Sequence, residues 1–87
     1  MTVSGVLILV RPADTARVSA ALVTLSGIEV HTRGDDGRLV VTIEGDDDRA
    51  VSDMFVRLHD IEGVVAVTLA WHHNSELSEE ADETHAS

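Results

Sequence analysis

The side chains best suited to chemistry in this chain are its histidines and one run of aspartates. His72-His73 form an adjacent pair, His31 and His59 stand alone, and Asp46-Asp47-Asp48 is a compact acidic run. Two imidazoles suggest metal ligation. Adjacent residues on a strand point to opposite faces, however, so the pair cannot chelate one ion while the strand stays regular. A calcium loop needs ligands at alternating positions and a distal glutamate, and the aspartate run supplies neither in order. Its simpler use is an N-cap with favourable charge at a helix start. The chain has no cysteine, which excludes disulfides and thiolate metal sites. It shows no Ser-His-Asp spacing, and no glycine-rich loop follows a strand to open a helix. These residues describe a protein that binds rather than one that catalyses, with no cofactor and no metal site.

The elements that would position such residues are organised around Ile61-Glu62-Gly63-Val64-Val65-Ala66-Val67-Thr68-Leu69-Ala70-Trp71. Gly63 stands where a helix end favours positive φ, and a run of strand-forming residues follows. Leu25-Ser26-Gly27-Ile28-Glu29-Val30 repeats the design. Two such joints predict two similar β-α-β halves. Val3 to Val10 reads as the first strand, with Val6, Ile8 and Val10 on one face and Gly5, Leu7 and Leu9 on the other. Asp14 or Thr15 opens a helix to about Ser26, with Val18, Ala21, Leu22 and Leu25 as its buried stripe. Ser19 falls on its other side. Ile28 to Arg33 and Arg38 to Glu44 form a hairpin around Gly34-Asp35-Asp36-Gly37, with Leu39, Val41 and Ile43 inward. A second helix spans Asp48 to Asp60 on the stripe Val51, Met54, Phe55 and Leu58. The last strand runs from Gly63 to Trp71. Strict alternation puts Val65, Val67, Leu69 and Trp71 on one face, and Ala66, Thr68 and Ala70 on the other with His72 beyond.

Eighty-seven residues make one domain. Residues 1–73 are expected to fold, and residues 74–87, polar and acidic, to form a disordered tail. A net charge of −10 and a pI near 4.6 argue against nucleic acid and anionic membrane surfaces as partners. They favour a basic one. No run reaches transmembrane length, and Val6 to Val10 lacks the basic start of a signal peptide. A cytoplasmic location without stable membrane association is expected.

The order β-α-β-β-α-β predicts an α+β, ferredoxin-like split βαβ fold. Its four-stranded antiparallel sheet takes the order 4-1-3-2, with both helices on one face. Each helix has one apolar stripe, so the other face stays open. By parity that face carries Leu7, Leu9, Val40, Thr42, Ala66, Thr68 and Ala70, with His72 at its end. An apolar patch rimmed by charge marks an interaction site. The small Ala66 and Ala70 leave room for a bulky element to lie across it. The other occupant to weigh is a second copy, sheet on sheet, as a weak homodimer.

Three segments carry a family resemblance. They are Ser4-Gly5-Val6-Leu7-Ile8-Leu9-Val10-Arg11-Pro12, Leu25-Ser26-Gly27-Ile28-Glu29-Val30-His31, and the closing stretch from Ile61 through Trp71-His72-His73. Together they resemble the NapD family, cytoplasmic chaperones for assembly of the periplasmic nitrate reductase. The aromatic residue followed by histidine at the end of the last strand is the most specific feature. The acidic tail is also typical, while Ala13-Asp14-Thr15 makes a longer entry to the first helix than usual. The resemblance implies binding of the twin-arginine signal peptide of the nitrate reductase catalytic subunit. It further implies that the precursor is held back from export until its molybdenum cofactor is inserted. The apolar segment of such a peptide would lie on the open face as an amphipathic helix. The competing class is a small-molecule-binding regulatory module of the same fold.

Overall fold

The computed structural model of the protein describes residues 1–74. Strand β1 (Thr2–Val10) alternates between buried and half-buried residues. Val6, Ile8 and Val10 lie in the core, with Leu39, Val41 and Ile43 of strand β3 (Arg38–Gly45) beside them. Helix α1 (Thr15–Leu22) adds Val18 and Leu22, and helix α2 (Asp48–Leu58) adds Val51 and Leu58. Full burial of a residue such as Ile8 or Leu39 contributes about 1.5–3 kcal/mol. Strands β2 (Ile28–Arg33) and β4 (Val64–Asn74) are the sheet edges in the order β2-β3-β1-β4. This is the ferredoxin-like architecture that the element order predicts, with both helices packed on the Val6 and Ile8 side.

The helices are shorter than their apolar stripes suggest. α1 ends at Leu22 and α2 at Leu58, and each continues into open turns. Thr24 N donates to Ala21 O, Leu25 N to Leu22 O, and Ile28 N to Leu25 O. Asp60 N to Arg57 O, Ile61 N to Leu58 O, and Val64 N to Ile61 O repeat the same three bonds. Leu25 and Ile61 thus hold the same place in the two halves, partly buried against the core. Gly27 (φ 85°) and Gly63 (φ 102°) follow them in the left-handed region that favours glycine. The duplicated joints are real, although each glycine closes a turn after the helix rather than the helix itself.

Three further details depart from expectation. Asp14 precedes α1 but makes no side-chain cap; its carboxylate instead pairs with Arg11 (2.9 Å) and Arg17 (2.7 Å). Ser19, expected on the outer side of α1, is 4% exposed. β4 runs through Asn74, which pairs with Thr2, so the folded domain includes a residue assigned to the tail. The remainder of that tail lies outside the described residues.

Candidate functional site

Cross-strand partners share a face, so the register defines the open side of the sheet. Leu7 stands between Val40 of β3 and Thr68 of β4, and Leu9 stands opposite Ala66. Thr42 stands opposite Gly5. Six of the eight expected binding residues therefore share the face away from the helices: Leu7, Leu9, Val40, Thr42, Ala66 and Thr68. Leu7 and Leu9 remain half-buried, and Val40 is 40% exposed.

The other two, Ala70 and His72, are displaced by irregularities in β4. Between Gly5 and Val6 the register slips: Val6 pairs with Leu69 and Gly5 with Trp71. Ala70 is the inserted residue and has no partner in the ladder. One extra residue reverses the alternation beyond it. Trp71, expected on the core side, therefore lies on the open face. His72, expected on the open face, pairs with Ser4 on the helix side. A second slip between Leu9 and Val10 leaves Val65 inserted and 66% exposed.

Gly5 explains the seat of Trp71. A Cβ placed on Gly5 would collide with Nε1 and Cε2 of the indole. The ring fills the space that any other side chain at position 5 would occupy. It remains 49% exposed, a large aromatic surface on a sheet of mostly small side chains. A glycine within a strand often marks a close approach or a bulge, and that was the available signal. Around it lie Thr42, with His31 Nε2 at 2.9 Å from the Thr42 hydroxyl, and the exposed carboxylates of Glu29 and Glu44. Glu29 stands opposite Thr42, and Glu44 opposite Val3.

On the helix side His72 forms a clasp. Its Nδ1 is 2.6 Å from Ser4 Oγ and its Nε2 is 3.2 Å from Asp48 Oδ1. A carboxylate only accepts, so in the neutral ring Nε2 donates to Asp48 and Nδ1 accepts from the Ser4 hydroxyl. These are the residue types of a hydrolytic triad, brought together although the sequence spacing gave no hint of it. Ser4 is 1% exposed near the start of a central strand, at the base of the groove between α2 and β4, and its hydroxyl is engaged by His72. The clasp ties the end of β4 to the start of α2. Asp47 is the true N-cap, accepting from Ala50 N at 2.9 Å. Asp48 also accepts from Asn74 Nδ2 (2.9 Å) and Thr2 Oγ1 (3.1 Å). Among the described residues no group of three or more His, Asp or Glu side chains could hold a metal ion.

The hydrogen bonds from Asn74 first, then from His72, hold the Asp48 carboxyl below its ordinary pKa of 3.8. A carboxyl with a depressed folded-state pKa contributes stability above its unfolded value. That contribution is lost as pH falls through the folded value. Asp48→Ala is therefore expected to lower the urea midpoint at pH 7. Its gap from the parent should narrow as pH drops below 3.8. A gap that stays constant down to pH ~2 would show that no titrating clasp is present.

The clasp residues Ser4, Asp48 and His72 line one end of a groove of about 310 Å³ between α2 and the edge strand β4, together with Val51, Phe55 and Leu69. His59, uninformative in the sequence, stacks edge-on against Phe55 at 5.3 Å and lies 3.0 Å from the Phe55 carbonyl through Nδ1.

One sheet, helices on a single side and an apolar strip with an exposed tryptophan on the other define a ferredoxin-like domain with one open face. Comparison with known proteins specifies it further. The family described as NapD protein matches residues 1–76, and the chain belongs to the NapD family. This is a family of chaperones, not of enzymes. Among solved structures, the chain is similar to the solution structure of the E. coli Tat proofreading chaperone protein NapD. Identity is 25%, the TM-score is 0.76, and the match covers 83% of this chain and 77% of that one. No curated protein sequence matches. Among the described residues no helix is long and apolar enough to cross a membrane.

Proposed function

We propose that this chaperone acts in the cytoplasm on the twin-arginine signal peptide of a periplasmic nitrate reductase catalytic subunit. It holds the precursor back from export until the molybdenum cofactor has been inserted. The observation that carries this reading is the open sheet face. Leu7 and Leu9 on a central strand, flanked by Val40 and Ala66, form an apolar strip that the protein's own helices leave uncovered. A signal peptide of this kind has a basic start and an apolar segment. The strip suits the apolar segment laid across it as a helix, which is helix-in-groove recognition. The net charge of −10 suits the basic start. Burial would supply most of the affinity, at roughly 25 cal/mol per Å² before ordering costs. The charge would mainly accelerate encounter.

Titration of the protein with the signal peptide by calorimetry tests the reading directly, and binding heat is expected. In stopped flow the association rate should fall as ionic strength rises, while dissociation changes less. An absence of binding heat overturns the proposed function. Equal association rates at low and high salt would leave the charge no part in recognition.

A further inference from the structure

We infer that the open face has a polarity, and that Trp71 with Glu29 and Glu44 forms a seat for arginine side chains at one end of it. This inference rests on the peptide-binding function proposed above and assigns the peptide a direction on the sheet. Trp71 and Thr42 flank Gly5, Glu29 follows beyond Thr42, and Glu44 lies one step further along, opposite Val3. This end thus combines an exposed indole with two exposed carboxylates. The opposite end, at Leu9, is bounded by Ala66 and Arg38. Arg38 is the cation there and lies 3.3 Å from Asp36. The two glutamates of the open face therefore lie at the tryptophan end, Glu29 within 4.0 Å of His31 Nε2, while Leu7, Leu9 and Ala66 lie away from them.

Tryptophan is the best aromatic partner for a guanidinium, which stacks on the ring while its N–H groups reach carboxylates. Exposed carboxylates alone attract any cation. An indole seated low over Gly5 adds a preference for a planar one. From the Gly5 position to Leu9 is about 13 Å at a strand rise of ~3.3 Å per residue. A helix covers that span in about nine residues. A peptide whose arginines immediately precede an apolar helix therefore reaches both ends at once. Its arginines meet Trp71, its apolar turns cover Leu7 and Leu9, and its C-terminal dipole end points toward Arg38. The reverse direction would place the arginines beside Arg38 and apolar side chains beside the glutamates.

Trp71 is the only tryptophan in the chain, so its fluorescence reports on this seat alone. The probe is a synthetic peptide of two arginines followed by a Leu/Ala-rich segment, carrying a nitroxide quencher at either its N-terminus or its C-terminus. The N-terminal label is expected to quench Trp71 several-fold more than the C-terminal label. Greater or equal quenching by the C-terminal label overturns the direction while leaving the face as the binding site. Calorimetric binding with no quenching by either label places the peptide elsewhere, and overturns both the direction and the face. An absence of binding heat overturns the underlying function and this inference with it. As a second arm, the double variant Glu29→Gln/Glu44→Gln should weaken the Arg-Arg peptide roughly fivefold. A Gln-Gln version of the peptide should be unaffected. Equal losses for both peptides overturn the arginine seat.

Discussion

Ile8→Glu is expected to abolish the cooperative unfolding transition, whereas Leu9→Glu, one residue along, is expected to leave it nearly intact. Ile8 is 0% exposed, enclosed between the sheet and the helices. A carboxylate there has no partner among the hydrocarbon side chains of the core. Burying an unpaired charge is among the few single changes that cost more than ~4 kcal/mol. Domains of this size are stable by about 5–10 kcal/mol in total, so one such change can exhaust that margin. Leu9 is half-buried on the opposite face, where a glutamate keeps its water in the free protein. When an apolar helix lands on that face, the charge must be desolvated. Binding of the signal peptide should then weaken on the order of 100-fold. Urea denaturation followed by circular dichroism, together with calorimetry, separates the two effects. If Leu9→Glu unfolds the protein and Ile8→Glu does not, the faces are inverted. If Leu9→Glu stays folded and binds normally, the peptide does not use this face.

The second large effect is expected at Gly5. Gly5→Val puts a branched side chain into space that the Trp71 indole occupies. Overfilling of this kind costs about 1–3 kcal/mol. The indole must swing away, so its emission should shift together with the urea midpoint. The control is the same substitution in a Trp71→Ala background. There the clash is absent and valine's strand preference operates alone, so Gly5→Val should be neutral or stabilising. A coupling of about 0.5–3 kcal/mol between the two positions is the expected signature. Simple additivity would mean that the ring does not sit over Gly5. Trp71→Ala by itself should change stability little, because the ring is half-exposed, yet it should impair peptide binding if the face is the site.

These two results bear on how one small fold divides its labour. The helix side of the sheet holds the domain together through Val6, Ile8, Leu39 and Val41 against Val18, Leu22, Val51 and Leu58. The other side of the same strands is left uncovered by the helices. Because successive residues alternate between the two sides, β1 contributes to both along its length, with Leu7 and Leu9 interleaved among core residues. Changes on the open face are therefore expected to affect folding little.

Much of this was legible in the residues alone. Alternation along β1 and β3 separated Ile8 from Leu9 and Val41 from Val40, because side chains on a strand have a period of two. The apolar stripes of both helices identified the single side each must bury. The repeated glycine joint revealed the two halves, and right-handed crossovers then determined the strand order. Tertiary structure decided what alternation cannot see. The positions of Trp71 and His72 depend on one inserted residue, Ala70, and the insertion is settled across strands by the room that Gly5 leaves for an indole. In the same way, three consecutive aspartates look alike in the chain. Asp47 caps α2 through a bond to Ala50 N within the helix's own first turn, whereas only the approach of the β4 end to the α2 start makes Asp48 the acceptor for Thr2, His72 and Asn74. Period and propensity are properties of a segment and can be read from it. Register at a bulge and the partner of a charged side chain belong to two segments at once, and exist only when the fold brings them together.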